Sequence, residues 1–485
     1  MSGPVAGRSR VHRLFLDGVR ADSIITVNRP SPGRSCNVTP LKPVTTCVRA
    51  ALFGCLALLV PGLLPADTIP QSDEIWVRLT QTSGRKRLNL VLAPFTSHPG
   101  APTDSLAMIE SLHEVFEDDL RFSLHFTFQV PESGAVFDFD ARPGSTDLKG
   151  WSTTGAEVLV CGHLGSDRNG PLLDIRLYDL EYERRIASKP YTLRANLRWL
   201  AHEMADDVIQ LLTGEPGVSR TRIGFSRQAG AGVKELAWVD YDGKGLTQLT
   251  GTGNVSLYPD WSPDGGRMAY CTYGNNSLNI YAMDLGSRQR KTLSDREGLN
   301  TTPAWSPDGN TVATSLSFNG QSDIYLLDAE GRVKRRLTSS RGIDISPSWS
   351  PTGRELAFVS DRTGAPQVYV INADGTDLRR LTFEGPYNTS PSWSPRGDLV
   401  AFVQRQPGGA NQVCVTNILG DTYVRLTSRG NNEDPSWSPD GLHIAFASTR
   451  GGAAELYTMD WNGANQRRVT RTGGAFSPTW SPVLE

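Results

Sequence analysis

Pro259-Asp260-Trp261-Ser262-Pro263 is the first of six copies of one tag, Pro-x-Trp-Ser-Pro, and Pro478-Thr479-Trp480-Ser481-Pro482 is the last. The tag tryptophans are Trp261, Trp305, Trp349, Trp393, Trp437 and Trp480, at intervals of 44, 44, 44, 44 and 43 residues. One Trp-Ser-Pro is an ordinary turn, but six at one period are a structural repeat. Each repeat runs through the same parts. A turn such as Asp264-Gly265 or Asp308-Gly309 follows the tag, then a short apolar strand such as Leu356-Ala357-Phe358-Val359. A third strand such as Gln367-Val368-Tyr369-Val370 comes next, then a turn holding Asp284, Asp328, Asn372, Asn417 or Asp460. The fourth strand ends on Leu249, Leu293, Leu337, Leu381, Leu426 or Val469, followed by Thr or Ser. Asp-Gly steps tolerate the positive φ of tight hairpins, and the runs between them are rich in Val, Ile, Tyr and Phe. Four strands per repeat of this length make a propeller blade. The repeat therefore predicts a six-bladed β-propeller over residues 219–485, with the tag tryptophans as structural wedges between blades.

The count of strands also predicts how the ring closes. Ahead of Trp261 the chain carries strands two, three and four of a blade without a tag, at residues 222–225, 236–239 and 248–250. After Trp480 it carries a first strand alone. The last tag is thus expected to complete the first blade, which removes an exposed sheet edge.

Residues 67–215 read as a small α/β domain. Leu106, Ile109, Leu112, Phe116 and Leu120 form one stripe of a helix over 104–121, with Asp104 as its cap. Leu197, Leu200, Met204, Val208 and Leu211 form another, over 195–213, stopped by Gly214. Strands are expected at 88–94, 123–130, 156–162 and 172–179. The linker 214–218 is short, which favours packed domains. Residues 1–66 read as leader and signal peptide: Lys42 and Arg49 precede the apolar run AALFGCLALLV at 50–60, which Pro61, Gly62 and Pro65 break. That run is too short to span a bilayer, which takes about 20 apolar residues. The fold class is therefore α+β multi-domain, a small N-terminal α/β domain followed by an all-β propeller.

Several chemistries are disfavoured. Lys plus Arg (49) nearly balances Asp plus Glu (51), so nothing in the charge draws the chain to nucleic acid. No G-x-S-x-G nucleophile elbow and no phosphate-binding Gly-rich loop occurs. His202-Glu203 and His113-Glu114 lack the second histidine of a zinc pair, with Asp206 and Glu117 in its place, and read as solvated helix residues. Cys161, Cys271 and Cys414 remain beyond the signal, an odd and sparse set that reads as small buried residues rather than a disulfide framework. No cofactor, metal site or catalytic residue is expected, so the chain reads as non-enzymatic.

What remains is surface. Three residues before each tag proline sit Ser256, Asn300, Asp344, Asn388, Asn432 and Ala475, in the loops where one blade crosses to the next. Two readings stand: local turn capping, or a ring of polar groups around one channel mouth that holds a peptide or loop.

With its signal, α/β domain, Leu212-Thr213-Gly214 followed by Arg220-Thr221-Arg222-Ile223, six tags and an ending inside the closing strand, the chain over residues 75–485 resembles the TolB family, periplasmic propellers of WD40-like (PD40-type) repeats. The long leader departs from the family's pattern. The resemblance implies a periplasmic, non-enzymatic scaffold of the Tol-Pal system, a monomer without a membrane span. Its implied partners are Pal, the peptidoglycan-associated lipoprotein, and TolA or other inner-membrane Tol proteins. The implied role is outer-membrane invagination during cell division and outer-membrane integrity. Carried onto this chain, Pal docking falls on Asn300, Thr301, Thr302, Asp344, Ile345, Asn388, Thr389 and Asn432. TolA binding falls on the segment with Asp67, Thr68, Ile69 and Ile75. The alternative is an exported propeller that binds a glycan or small ligand, which a basic or aromatic-lined channel would mark.

Overall fold

The computed structural model describes residues 87–97, 103–130, 148–168, 170–193, 195–274, 277–318 and 320–484. The leader and signal at 1–66, and Asp67, Thr68, Ile69 and Ile75, lie outside the described residues. The N-terminal unit contains strands β1 (Leu88–Leu92), β2 (Thr96–Ser97), β3 (Phe126–Gln129), β4 (Val158–Asp167), β5 (Gly170–Asp179) and β6 (Arg184–Thr192), with helices α1 (Thr103–Phe122), α2 (Leu148–Ser152) and α3 (Leu197–Thr213). Its sheet has the order β3-β1-β4-β5-β6, with β2 beside β4. The pairs β1–β3 and β1–β4 are parallel, and β4–β5 and β5–β6 antiparallel.

Alternation along β1 divides the core. Leu90 and Leu92 face α1 and α3, while Val91 and Ala93 face α2 with its Leu148 and Trp151. The α1 stripe buries Ile109, Leu112, Phe116 and Leu120, but Leu106 is half exposed. In α3 the buried positions include Leu200, Met204 and Val208, whereas Leu211 is half exposed and Ile209 takes the inward place. Both misplaced leucines sit toward a helix end, where the stripe runs past the packed surface. The α3 caps follow from sequence. Asn196 Oδ1 accepts from the Trp199 amide at 3.1 Å, and Gly214 turns left-handed at φ 75° and donates to the Gln210 carbonyl. The edge strand β6 carries no hydrophobic alternation and is mostly exposed, so pattern alone did not announce it.

Six four-stranded sheets form the propeller. Five are consecutive blades. The sixth combines strand Ala475–Trp480 with β7 (Arg222–Gly230), β8 (Val233–Asp240) and β9 (Thr247–Gln248), in the expected closing order. Closure pairs Ala475 with Arg227 and Trp480 with Ile223, and the Trp480 indole donates to Thr221 Oγ1 at 2.8 Å.

The tag tryptophans lie in clusters shared with neighbouring strands. Trp305 packs among Ala269, Ile280 and Ala282 of the preceding blade and Val312 and Leu327 of its own. The variable residue of the tag adds a polar clasp: Asp260 accepts from the Trp305 amide at 2.7 Å, Ser348 from Trp393 at 3.0 Å and Ser436 from Trp480 at 2.9 Å. A second clasp explains the Thr after strand four. Thr382 Oγ1 accepts from the Val368 amide at 2.9 Å and donates to Gln367 at 2.8 Å, and Thr427 repeats this with Val413 and Gln412.

The N-terminal unit packs on the closing blade and its neighbour. Phe122 at the end of α1 stacks on His443 with centroids 3.8 Å apart and also meets Tyr241 and Trp480. Asp119 accepts from the Tyr241 hydroxyl and is bonded to His202 Nδ1 at 2.7 Å. His202 is therefore fully buried in this joint rather than solvated. His113 is also largely enclosed, and its ring meets Phe95 edge-on. A helix surface that looks polar in sequence becomes an interior when a second unit lies on it.

Deleting residues 475–485 should leave β7 with an unpaired edge, lower the melting temperature and promote aggregation; melting at the full-length temperature would contradict closure by this strand. Trp437→Ala should cost about 3–5 kcal/mol, read from denaturant unfolding; a cost below about 1 kcal/mol would contradict the wedge role.

Candidate functional site: the channel and its mouths

The first strand of each blade lines the channel, and each is interrupted at the same place. The register slips between Leu257 and Asp260, Thr301 and Ala304, Ile345 and Ser348, Thr389 and Ser392, Glu433 and Ser436, and Phe476 and Thr479. The bulged residue is in every case the one before the tag proline: Tyr258, Thr302, Ser346, Ser390, Asp434 or Ser477. All six have positive φ, between 46° and 55°. Left-handed backbone is costly for any residue with a Cβ, and more so for β-branched Thr302. Bulges re-aim side chains, and proline suits them because it brings no amide for the ladder. The tag is thus a device for turning one side chain per blade into the channel.

These six residues separate two spaces. At the tag end, a cavity of about 460 Å³ is lined by the six tags themselves. At the other end, where strand four crosses to the next blade, a chamber of about 90 Å³ is lined by residues including Lys234, Tyr387, Arg405 and Phe476. The N-terminal unit contacts tag-end groups such as Tyr241, His443 and Trp480, and Glu215 pairs with Arg396 at 3.0 Å. None of its described residues lines either space.

The expected partner-binding residues divide sharply. Thr302, Ile345 and Thr389 line the crossover-end chamber. Asn300, Thr301, Asp344, Asn388 and Asn432 do not: all are fully buried. Asn300 Nδ2 donates to the Arg296 carbonyl at 2.7 Å, and Asn388 Nδ2 to Gln367 and the Glu384 carbonyl at 2.7 and 2.8 Å. Asn432 binds Gln412 at 2.8 Å, and Asp344 accepts from Ser360 and Arg362. Asn300, Asn388 and Asn432 each donate to a backbone carbonyl of their own crossover loop, as local capping would have it, while Asp344 is held by side chains alone. The channel-facing ring lies two residues further along. Its sequence signal was the residue before each tag proline, small and polar in all copies but Tyr258.

Burial shapes the electrostatics. Asp434 lies in the ring with its two oxygens accepting from Ser390 and Ser477 hydroxyls at 2.9 and 3.0 Å, and burial raises its pKa against those bonds. Burial likewise lifts the Asp260 carboxyl to about 7, opposed by the Trp305 amide. The three cysteines are buried and free, with Cys271 and Cys414 pushed up to about 12 by desolvation, so they are unreactive thiols at neutral pH. Among the described residues no group of three or more His, Cys, Asp or Glu is placed to hold a metal ion, and no helix is long and apolar enough to cross a membrane.

Fold and channel together define a closed six-bladed propeller, strained at one ring of channel residues, with an α/β unit packed on its tag end. The family described as TolB beta propeller domain (PD40) matches residues 209–484. The chain belongs to the TolB family. It is 38% identical over 211 residues to the Tol-Pal system protein TolB of Geobacter sulfurreducens, covering 43% of this chain and 47% of that protein. It is 36% identical over 250 residues to the protein of the same name from Desulfosudis oleivorans, covering 50% and 55%. The chain spans about half the length of the curated relatives it matches. The crystal structure of TolB from Acinetobacter baumannii superposes with a TM-score of 0.70 at 27% identity, over 82% of this chain and 97% of that one.

Asp260 sets a pH dependence of stability. The unfolded chain releases this proton near pH 4, and the folded one holds it until about 7. This group therefore favours the fold less and less as pH rises from about 4 to 7, and its effect levels off above. Asp260→Asn keeps an acceptor for Trp305 and removes the titration. The stability difference, variant minus wild type, should grow from pH 5 to 8; a difference constant over that range would contradict the assignment.

Proposed function

We propose that this chain is a non-enzymatic, periplasmic scaffold of the Tol-Pal system, built from an α/β domain at 67–215 and a propeller at 219–485. In this reading the crossover mouth of the channel docks Pal, and the segment with Asp67, Thr68, Ile69 and Ile75 engages TolA or another inner-membrane Tol protein. The role served is outer-membrane invagination and integrity. The observation that carries the docking assignment is the asymmetry of the two ends. The N-terminal unit packs on tag-end groups, while the crossover loops are held rigid from within by Asn300, Asp344, Asn388 and Asn432. Rigid loops lose little entropy when a partner settles on them. Thr302, Ile345 and Thr389 then face the partner, and the buried residues shape the platform.

The glycan alternative is weakened by the aromatic rings at this mouth. The Phe476 face is covered by the Lys234 ammonium at 3.8 Å and that of Tyr387 by the Arg405 guanidinium at 4.1 Å, so both are occupied by cations instead of open to a sugar ring.

The test is calorimetric binding of the soluble domain of Pal from the same cell. Wild type should bind, and Thr389→Arg should weaken binding at least tenfold without moving the melting temperature. Failure of wild type to bind would remove the Pal reading; full binding by Thr389→Arg would remove the mouth assignment.

A further inference from the structure

Lys234 is the second residue of β8 and ends inside the crossover-end chamber. Only 8% of the residue is exposed. Its ammonium lies 3.8 Å from the centre of the Phe476 ring, and no carboxylate among the described residues comes within ion-pair distance of it. The acids that act on it, Asp434 and Glu433, do so through space and are bonded elsewhere. Asp434 is held by Ser390 and Ser477, and Glu433 accepts from Asn411 Nδ2 at 2.8 Å. A buried ammonium whose nearest partner is an aromatic face is poorly compensated, because a ring quadrupole replaces only part of its hydration. The Arg405 guanidinium adds a second positive group on the lining of the same chamber.

We infer that Lys234, assisted by Arg405, is the seat for a side-chain carboxylate of the docked partner, an Asp or Glu on a loop that enters the crossover mouth. The inference rests on the docking reading above and names the chemistry that makes it specific. The chamber, about 90 Å³, suits the tip of one side chain and excludes a helix or a folded strand pair. A carboxylate there completes the lysine's coordination, and the lysine discriminates against a basic residue at that position of the partner.

Lys234→Met tests this with the soluble domain of Pal as probe. The variant should melt at or above the wild-type temperature, since it removes a buried charge, and should bind at least tenfold more weakly with a shallower salt dependence. Neutralising each surface Asp and Glu of Pal in turn should reveal one residue whose loss matters in wild type and is silent in Lys234→Met. If wild type binds and Lys234→Met binds equally well, the carboxylate seat is wrong and the docking reading stands. If wild type does not bind Pal, the docking reading falls and the inference falls with it. Should Lys234→Met melt early, the intact protein decides: N-acetylaspartate should compete with Pal where N-acetylasparagine at equal ionic strength does not, and equal competition by the two overturns the inference.

Discussion

A ring of blades is stable only if its first and last strands pair, and here that pairing joins segments about as far apart as the propeller allows, Ala475–Trp480 against Arg222–Gly230. Every other blade is a local meander that can form from neighbouring residues. The closing blade cannot, and its contacts carry the greatest loop-closure cost of the fold. The joint with the N-terminal unit is built on the same blade. Phe122 meets Tyr241, which follows β8, and Trp480 at the end of the closing strand. Closure and the seating of the α/β unit therefore draw on one hydrophobic cluster.

The joint is also where charge is buried. Asp119 lies between His202 and Tyr241, and Asp206 accepts from the Ser219 and Arg220 amides at 2.9 and 3.2 Å, just where α3 hands the chain to the propeller. Burial raises the pKa of both carboxyls against these bonds. Such groups are expensive unless fully bonded, so they favour one seating of the two units over alternatives that would strand them. At the opposite end the crossover loops are ordered by the Thr and Asn clasps. The channel ring between the two ends stores backbone strain, which the blade packing on either side sustains.

The blade count, the closing strand and both long helices were legible because each rests on a short-range regularity: a 44-residue period, a 3.6-residue stripe, a cap. The edge strand β6 was not, because an exposed edge need not alternate. The candidate site was half legible. Of the residues the sequence pointed to, Thr302, Ile345 and Thr389 line the chamber. Asn300, Asp344 and Asn388 are buried, and the sequence left both readings open because a small polar residue in a loop has the same signature whether it faces solvent or bonds within its own blade.

The sequence by itself determined the repeat, its strands and turns, and the proline that forces a break in each inner strand. These depend on backbone preference and on spacing within a few residues. Only the tertiary structure decided which side chains the ring turns inward, that His202 is sealed in a joint, and that Lys234 sits nearly unpartnered in a channel. In sequence Lys234 is one more lysine at the start of a strand. Its surroundings come from β7, the closing strand and a blade almost 200 residues away, and burial is a property of those neighbours rather than of the residue.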